Sequence, residues 1–220
     1  MSRHISVTPL LFTLLLCACR APSGPDDYGS QERLPEPVEP IVDELLEGEA
    51  RLSLGLFYEG PRSDEVVIDD LNAFFYIYEE TFSLSGYDGA RIEGLSSDRV
   101  TLSGGPWWGG GVHWEQARDL TGFERLRLSL RSSSETFNDL EVGMNNSDSE
   151  QARVKVSDYG FRADGAWHTL SIPLTDLAER GVDLSAVLAP FVLIGGQSEG
   201  GERLIIDGVY LSSASDVSQE

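Results

Sequence analysis

The residues best equipped for chemistry lie in one short stretch, Gly104-Gly105-Pro106-Trp107-Trp108-Gly109-Gly110-Gly111-Val112-His113-Trp114. It holds three of the four tryptophans together with five glycines. Exposed indoles stack on sugar rings, whose C–H faces are apolar and weakly positive, and glycine lets a ligand approach the backbone. One reading is therefore a binding platform of Trp107 and Trp108, with His113 and Glu115 supplying hydrogen bonds. The other is core packing beside a flexible loop. If the chain is extended from Val112 onward, His113 and Trp114 face opposite ways, so at most one of them faces a groove. Trp114 and Trp167 are expected in the core. A second patch, Asp158-Tyr159-Gly160-Phe161-Arg162, either lends Tyr159 and Arg162 to the same groove or is a solvated turn.

Signatures of catalysis are missing. Beyond the N-terminal segment the histidines are His113 and His168, too few for a histidine-rich metal site. There is no G-x-S-x-G elbow, no H-E-x-x-H, no Walker loop and no dinucleotide fingerprint. A pair of carboxylates about 5 to 9 Å apart hydrolyses glycosides, and such a pair would leave no mark among 37 Asp and Glu residues. The expectation is a domain that binds without catalysing. The net charge of −21 argues against a broad surface for nucleic acid or anionic lipid, which needs clustered Lys and Arg. It favours neutral or cationic partners, and its simplest meaning is a solvated acidic surface.

The elements that must position these residues begin with an address. Arg3 and His4 precede an apolar run, Ile5 to Leu16, too short for the ~20 residues that span a bilayer and of the length found in signal peptides. The next residues, Leu16-Cys17-Ala18-Cys19, resemble the lipobox of bacterial lipoproteins. That resemblance implies removal of residues 1–18, a covalent diacylglycerol on Cys19, and a membrane anchor in which each buried methylene contributes about 0.8 kcal/mol. Arg20 stands where an Asp would favour inner-membrane retention, so the resemblance implies the cell envelope, and the outer membrane in a Gram-negative cell. Cys17 and Cys19 are the only cysteines. The mature domain therefore has no disulfide, thiol nucleophile or cysteine zinc site, and it must rely on its hydrophobic core.

Residues 19–45 form an acidic tether rich in Pro, Glu, Asp, Gly and Ser, with too little apolar surface to offset its ordering entropy. Residues 41–51 have the makings of a short helix, weakened by Gly48. One domain is expected over 46–213 and a frayed tail over 214–220. Within the domain, Leu52 to Tyr58, Val66 to Ile68, Phe74 to Tyr78, Leu126 to Arg131, Leu140 to Met144, Ala152 to Val156, Trp167 to Ile172, Phe191 to Ile194 and Leu204 to Leu211 read as strands. Phe74 to Tyr78 reads as a buried one. Many short strands with turn signals between them indicate a sandwich or barrel. Thr175 to Arg180 is expected to be helical with Thr175 as N-cap, and Asp183 to Leu188 adds a further turn.

Three stretches taken together carry a family resemblance: Phe75-Tyr76-Ile77-Tyr78-Glu79-Glu80, then Asp119-Leu120-Thr121-Gly122-Phe123 before Leu126 to Leu130, then Asp164-Gly165-Ala166-Trp167 leading to Ile172-Pro173-Leu174, closed by Leu204 to Leu211. They resemble the galactose-binding-like group of jelly-roll modules, which includes many carbohydrate-binding modules. The resemblance implies an all-β jelly-roll sandwich of two antiparallel sheets with one or two short helical turns, and a polysaccharide or other glycan as ligand. It also implies a structural Ca²⁺ held by Glu79 or Glu80 and Asp207, hard oxygen donors that suit the ion. Gly208 stands where many relatives have a second aspartate. Locally, Gly165 permits a tight turn, Trp167 is expected to bury its ring against the opposite sheet, and Pro173 ends its strand. The alternative is an envelope scaffold that binds a protein and no sugar.

Overall fold

The computed structural model describes residues 51–53, 73–92, 94, 96–147 and 151–213. Cys19, the signal segment, the tether, the strands expected at 54–58 and 66–68, and the tail at 214–220 lie outside them. Apolar residues at alternate positions set the strands. In β6 (Arg125–Arg131), Leu126, Leu128 and Leu130 are buried while Arg125, Arg127, Ser129 and Arg131 take the other face. The same alternation makes β8 (Gln151–Lys155) and β9 (Trp167–Pro173). The other strands are β1 (Arg51–Ser53), β2 (Ala73–Ile77), β3 (Phe82–Tyr87), β4 (Ser97–Leu102), β5 (Trp108–Trp114), β7 (Glu141–Asn145), β10 (Ala189–Gly195) and β11 (Arg203–Ser212).

They form the expected jelly-roll sandwich. One antiparallel sheet runs β3-β4-β11-β6-β9, with β1 added to β11, and the other runs β2-β5-β10-β7-β8. The inner faces meet over a single core that includes Val100, Leu128, Phe137, Val142, Phe161, Phe191 and Ile206. One short helix, α1 (Leu174–Ala178), follows β9, and a 3-10 turn covers Leu184–Ala186. Thr175 is not the cap of α1: Pro173 holds that position without a side-chain hydrogen bond. Asp183 does cap its turn, accepting from the Ser185 amide.

From Trp108 onward the glycine-tryptophan stretch is neither a loop nor an exposed platform. Residues 108–114 are a strand of the second sheet, between β2 and β10. Trp108 is 0% exposed. Its ring stands edge-on to Phe82 at 6.0 Å and to Phe137 at 5.6 Å. It lies on the backbone of Gly195, its cross-strand partner, where any Cβ would run into the indole. The reading of Trp108 as a ligand contact is therefore corrected: the residue belongs to the core. Trp114 is buried as expected. Trp167 is not, because it pairs with Arg131 on the outer register of its sheet while the neighbouring pairs Leu128 with Leu170 and Leu126 with Ile172 face inward.

Candidate functional site

The face of the second sheet that points away from the core is built by the same alternation. Trp108, Val112 and Trp114 on β5 point inward, so Gly109, Gly111 and His113 point outward. On β2, Phe75 and Ile77 pack on the core, while Phe74 and Tyr76 are 40% and 52% exposed. The segment expected to be a buried strand is thus buried on one side only. The register then aligns one row straight across the sheet: Tyr76 beside Gly111, Gly111 beside Val192, Val192 beside Gly143, and Gly143 beside Arg153.

The middle of that row is made of Gly111, Val192 and Gly143, all of them buried, with longer side chains on the flanking rows. His113 and Asn145 stand on one side, and Ile194 and Glu141 on the other. The glycines are required by close packing. A Cβ on Gly143 would run into the Ala152 carbonyl oxygen, and one on Gly111 would come within 2.7 Å of the Phe191 oxygen. At the β2 end, aromatic rings crowd together. Phe74 and Tyr76 lie 6.1 Å apart with planes tilted by 39°. His113 is edge-on to Tyr76 at 5.4 Å and to Tyr78 at 5.9 Å. Tyr78 Oη and His113 Nε2 share a hydrogen bond of 2.7 Å, which fixes both rings against each other.

Of the residues singled out in the sequence, His113 alone joins this constellation. Trp107 lies just before β5 and is half-buried; Glu115 follows β5 and is exposed. Tyr159 and Arg162 are brought elsewhere, to the crossing from β8 to β9. The Tyr159 hydroxyl donates to Asp176 Oδ2 on α1 at 2.5 Å, and Arg162 donates to the carbonyls of Phe161 and Ser157 at 2.6 and 3.1 Å. Both brace a turn that lies beyond β8, three strand spacings or roughly 14 Å from β5.

The Tyr159 contact has a measurable consequence. Burial first, and then the hydrogen bond and charge of Asp176, push its phenol from 10 up to about 12. A raised phenol favours the neutral folded form, so the contribution is complete below pH 10 and is lost as the pH climbs from 10 towards 12. Tyr159→Phe is expected to lower stability at pH 8 by about 1 kcal/mol. The gap from wild type should narrow near the upper end of that window in urea denaturation. An unchanged gap would show that another group titrates there.

The calcium donors are not gathered. Glu79 and Glu80 are exposed in the turn between β2 and β3, each with a left-handed backbone at φ 50° and 55°. Asp207 is buried in the middle of β11, past the pairing of Ile206 with Asp98 and on the order of 15 Å away along the sheet. Both Asp207 oxygens hold backbone amides, Oδ2 that of Ile92 and Oδ1 that of Gly208. The aspartate thus pins a loop onto a strand. Among the described residues no group of three or more His, Cys, Asp or Glu side chains is placed to hold a metal.

The residues that sequence reasoning missed are Phe74, Tyr76, Gly143, Asn145 and Arg153. The three aromatics Phe74, Tyr76 and Tyr78 at alternate positions were the available signal for one wall. The far wall had none, since only the register shows Arg153 to stand at the end of the row.

With this geometry in place, similarity to known proteins is informative. The family 30 carbohydrate-binding module of a cellulosomal cellulase from Clostridium thermocellum superposes with a TM-score of 0.56 at 14% identity, covering 76% of this chain and 100% of that one. Two further structures of family 30 carbohydrate-binding modules give TM-scores of 0.54 and 0.52 at 15% and 16% identity, covering 75% and 80% of this chain and 99% and 89% of theirs. At such identities the likeness speaks for the fold alone. No curated protein matches. The sequence pattern of the family Carbohydrate binding domain 30 matches residues 68–213, which is most of the chain and nearly the whole sandwich, and the protein belongs to that family.

Proposed function

We propose that the outer face of the β2-β5-β10-β7-β8 sheet binds a glycan chain laid across the strands, along the row from Tyr76 to Arg153, and that it does so without catalysis. The observation that carries the reading is the exposure of Phe74 and Tyr76, the large apolar side chains left in water among the described residues. Tyr76 stands beside Gly111 and Phe74 beside His113. Apolar rings with polar groups on the flanking rows, His113, Asn145 and Glu141, suit a ligand with apolar faces and hydroxyl edges. Their 39° tilt suits a twisted single chain better than the flat face of a crystalline polymer. Family membership supports a carbohydrate ligand. It supports the non-catalytic part of the reading as well. The test is affinity electrophoresis of the protein through gels containing soluble polysaccharides, with Tyr76→Ala alongside. Retardation by at least one glycan that is lost in the variant supports the reading; retardation by none, or retardation that survives the change, would sink it.

The same proposal places the module in the cell envelope on a lipid anchor at Cys19, motivated by Leu16-Cys17-Ala18-Cys19 and the acidic tether that follows. Expressed in a bacterium that processes lipoproteins, the protein is expected to partition into the detergent phase of a phase-separating surfactant. Cys19→Ser should move it to the aqueous phase, and equal partitioning of the two would refute the anchor.

A further inference from the structure

We propose that the glycan taken by this groove carries carboxylate groups, and that Arg153 reads them; the inference rests on the binding reading above. Arg153 closes the row at the β8 end, directly across from Gly143. The residue is half-buried, and among the described residues its side chain donates only to the neutral amide oxygen of Gln151. Its Nε is out of water and finds no acceptor among the described residues. No described carboxylate forms an ion pair with it, in a chain with 37 acidic and 16 basic residues. Glu141 stands diagonally across on β7 and makes no such pair. Lys155, the other cation on this strand's outer face, is already engaged by Asp139 at 3.0 Å. On the adjoining row, the buried Oδ1 of Asn145 also has no hydrogen-bond donor among the described residues.

A half-buried guanidinium with no carboxylate partner among the described residues is costly unless an anion is supplied. The donor is charged, planar and forked, the shape that matches a carboxylate with two parallel hydrogen bonds. A neutral hydroxyl would satisfy one N–H without offsetting the charge. Asn145 would accept from a hydroxyl beside the carboxylate, so the pair together fits a uronic acid unit. The net charge of −21 opposes an anionic ligand at long range. Beyond a screening length of about 8 Å at physiological ionic strength, however, that repulsion is weak. It slows encounter, while the groups in contact decide the choice of ligand.

Matched polysaccharides test this: carboxymethyl cellulose beside hydroxyethyl cellulose, and polygalacturonate beside its methyl ester, each cast into gels for affinity electrophoresis of the full chain. The acidic member of a pair should retard the protein more strongly. Arg153→Gln should weaken retention by that member about tenfold and leave retention by the neutral member nearly unchanged. Tyr76→Ala should abolish both. Equal or stronger retention by the neutral member, or an acid preference that persists in Arg153→Gln, overturns the inference and leaves the groove reading intact. Retardation by none of the four, or retardation that survives Tyr76→Ala, overturns the groove reading and the inference with it.

Discussion

Trp108→Ala is expected to cost about 3–5 kcal/mol of folding stability, the range for losing a large aromatic from a core. The indole is fully buried and contacts Phe82 from the other sheet and Phe137 from the connection before β7. Its third wall is the backbone of Gly195. None of these can move inward without dragging a strand, so the cavity stays open and the cost falls towards the upper end of the range. For a domain of this size each kcal/mol moves the melting temperature by about 2–4 °C, and calorimetry should show a fall on the order of 10 °C. The result bears on function as well. A Trp108→Ala protein that no longer binds a glycan reports a damaged sandwich and says nothing about contact with sugar. Trp107→Ala, at a half-buried site outside the core, should fall much less. A melting temperature unchanged in Trp108→Ala would contradict the core assignment and return the indole to the list of ligand contacts.

That reversal shows what was legible in the sequence. Strand β11 could be read because it is a long apolar run buried on both faces, and β6, β8 and β9 because one face of each is apolar and the other is not. β3 carries the same pattern in Phe82 and Leu84 and was open to the same reading. β5 was not legible. Glycines are depleted in strands, and three in succession read as a loop. What makes Gly109-Gly110-Gly111 a strand is its neighbours, since the Tyr78 ring, the Phe82 ring and the Val192 side chain occupy the space its side chains would fill. Those neighbours come from β10 and from the turn and strand after β2, and no local pattern announces them. The tryptophans misled for a related reason. Residue type shows that an indole can stack on a sugar, but only the pairing of Trp108 with Gly195 decides that it faces the core. On β2 both faces are apolar, so the run from Phe74 to Tyr78 shows no alternation. The exposed half of it became visible only when the sheet supplied a direction.

Tyr76→Ala is expected to weaken glycan binding by about 2 kcal/mol, the scale of a central aromatic contact, which is roughly a thirtyfold rise in Kd. The ring is 52% exposed and packs edge-on against His113 and beside Phe74. Removing it opens no cavity in the core, and the stability change should stay within about 0.5 kcal/mol, as for other surface substitutions. Loss of binding with an unchanged melting temperature is the signature that separates this residue from Trp108. Tyr76→Phe keeps the apolar face and drops the hydroxyl, so it should retain most of the affinity if stacking is the contact that matters. Phe74→Ala should also weaken binding, though less, because its cross-strand partner is His113 and its ring is the less exposed of the two. If one glycan chain covers both rings, the double variant should lose less than the sum of the two single losses, since neither ring alone can then hold the chain in place. Additive losses would mean that Phe74 and Tyr76 contact separate parts of the ligand. Full affinity in Tyr76→Ala would mean that the ligand lies on some other surface, and the row from Tyr76 to Arg153 would lose its claim to be the site.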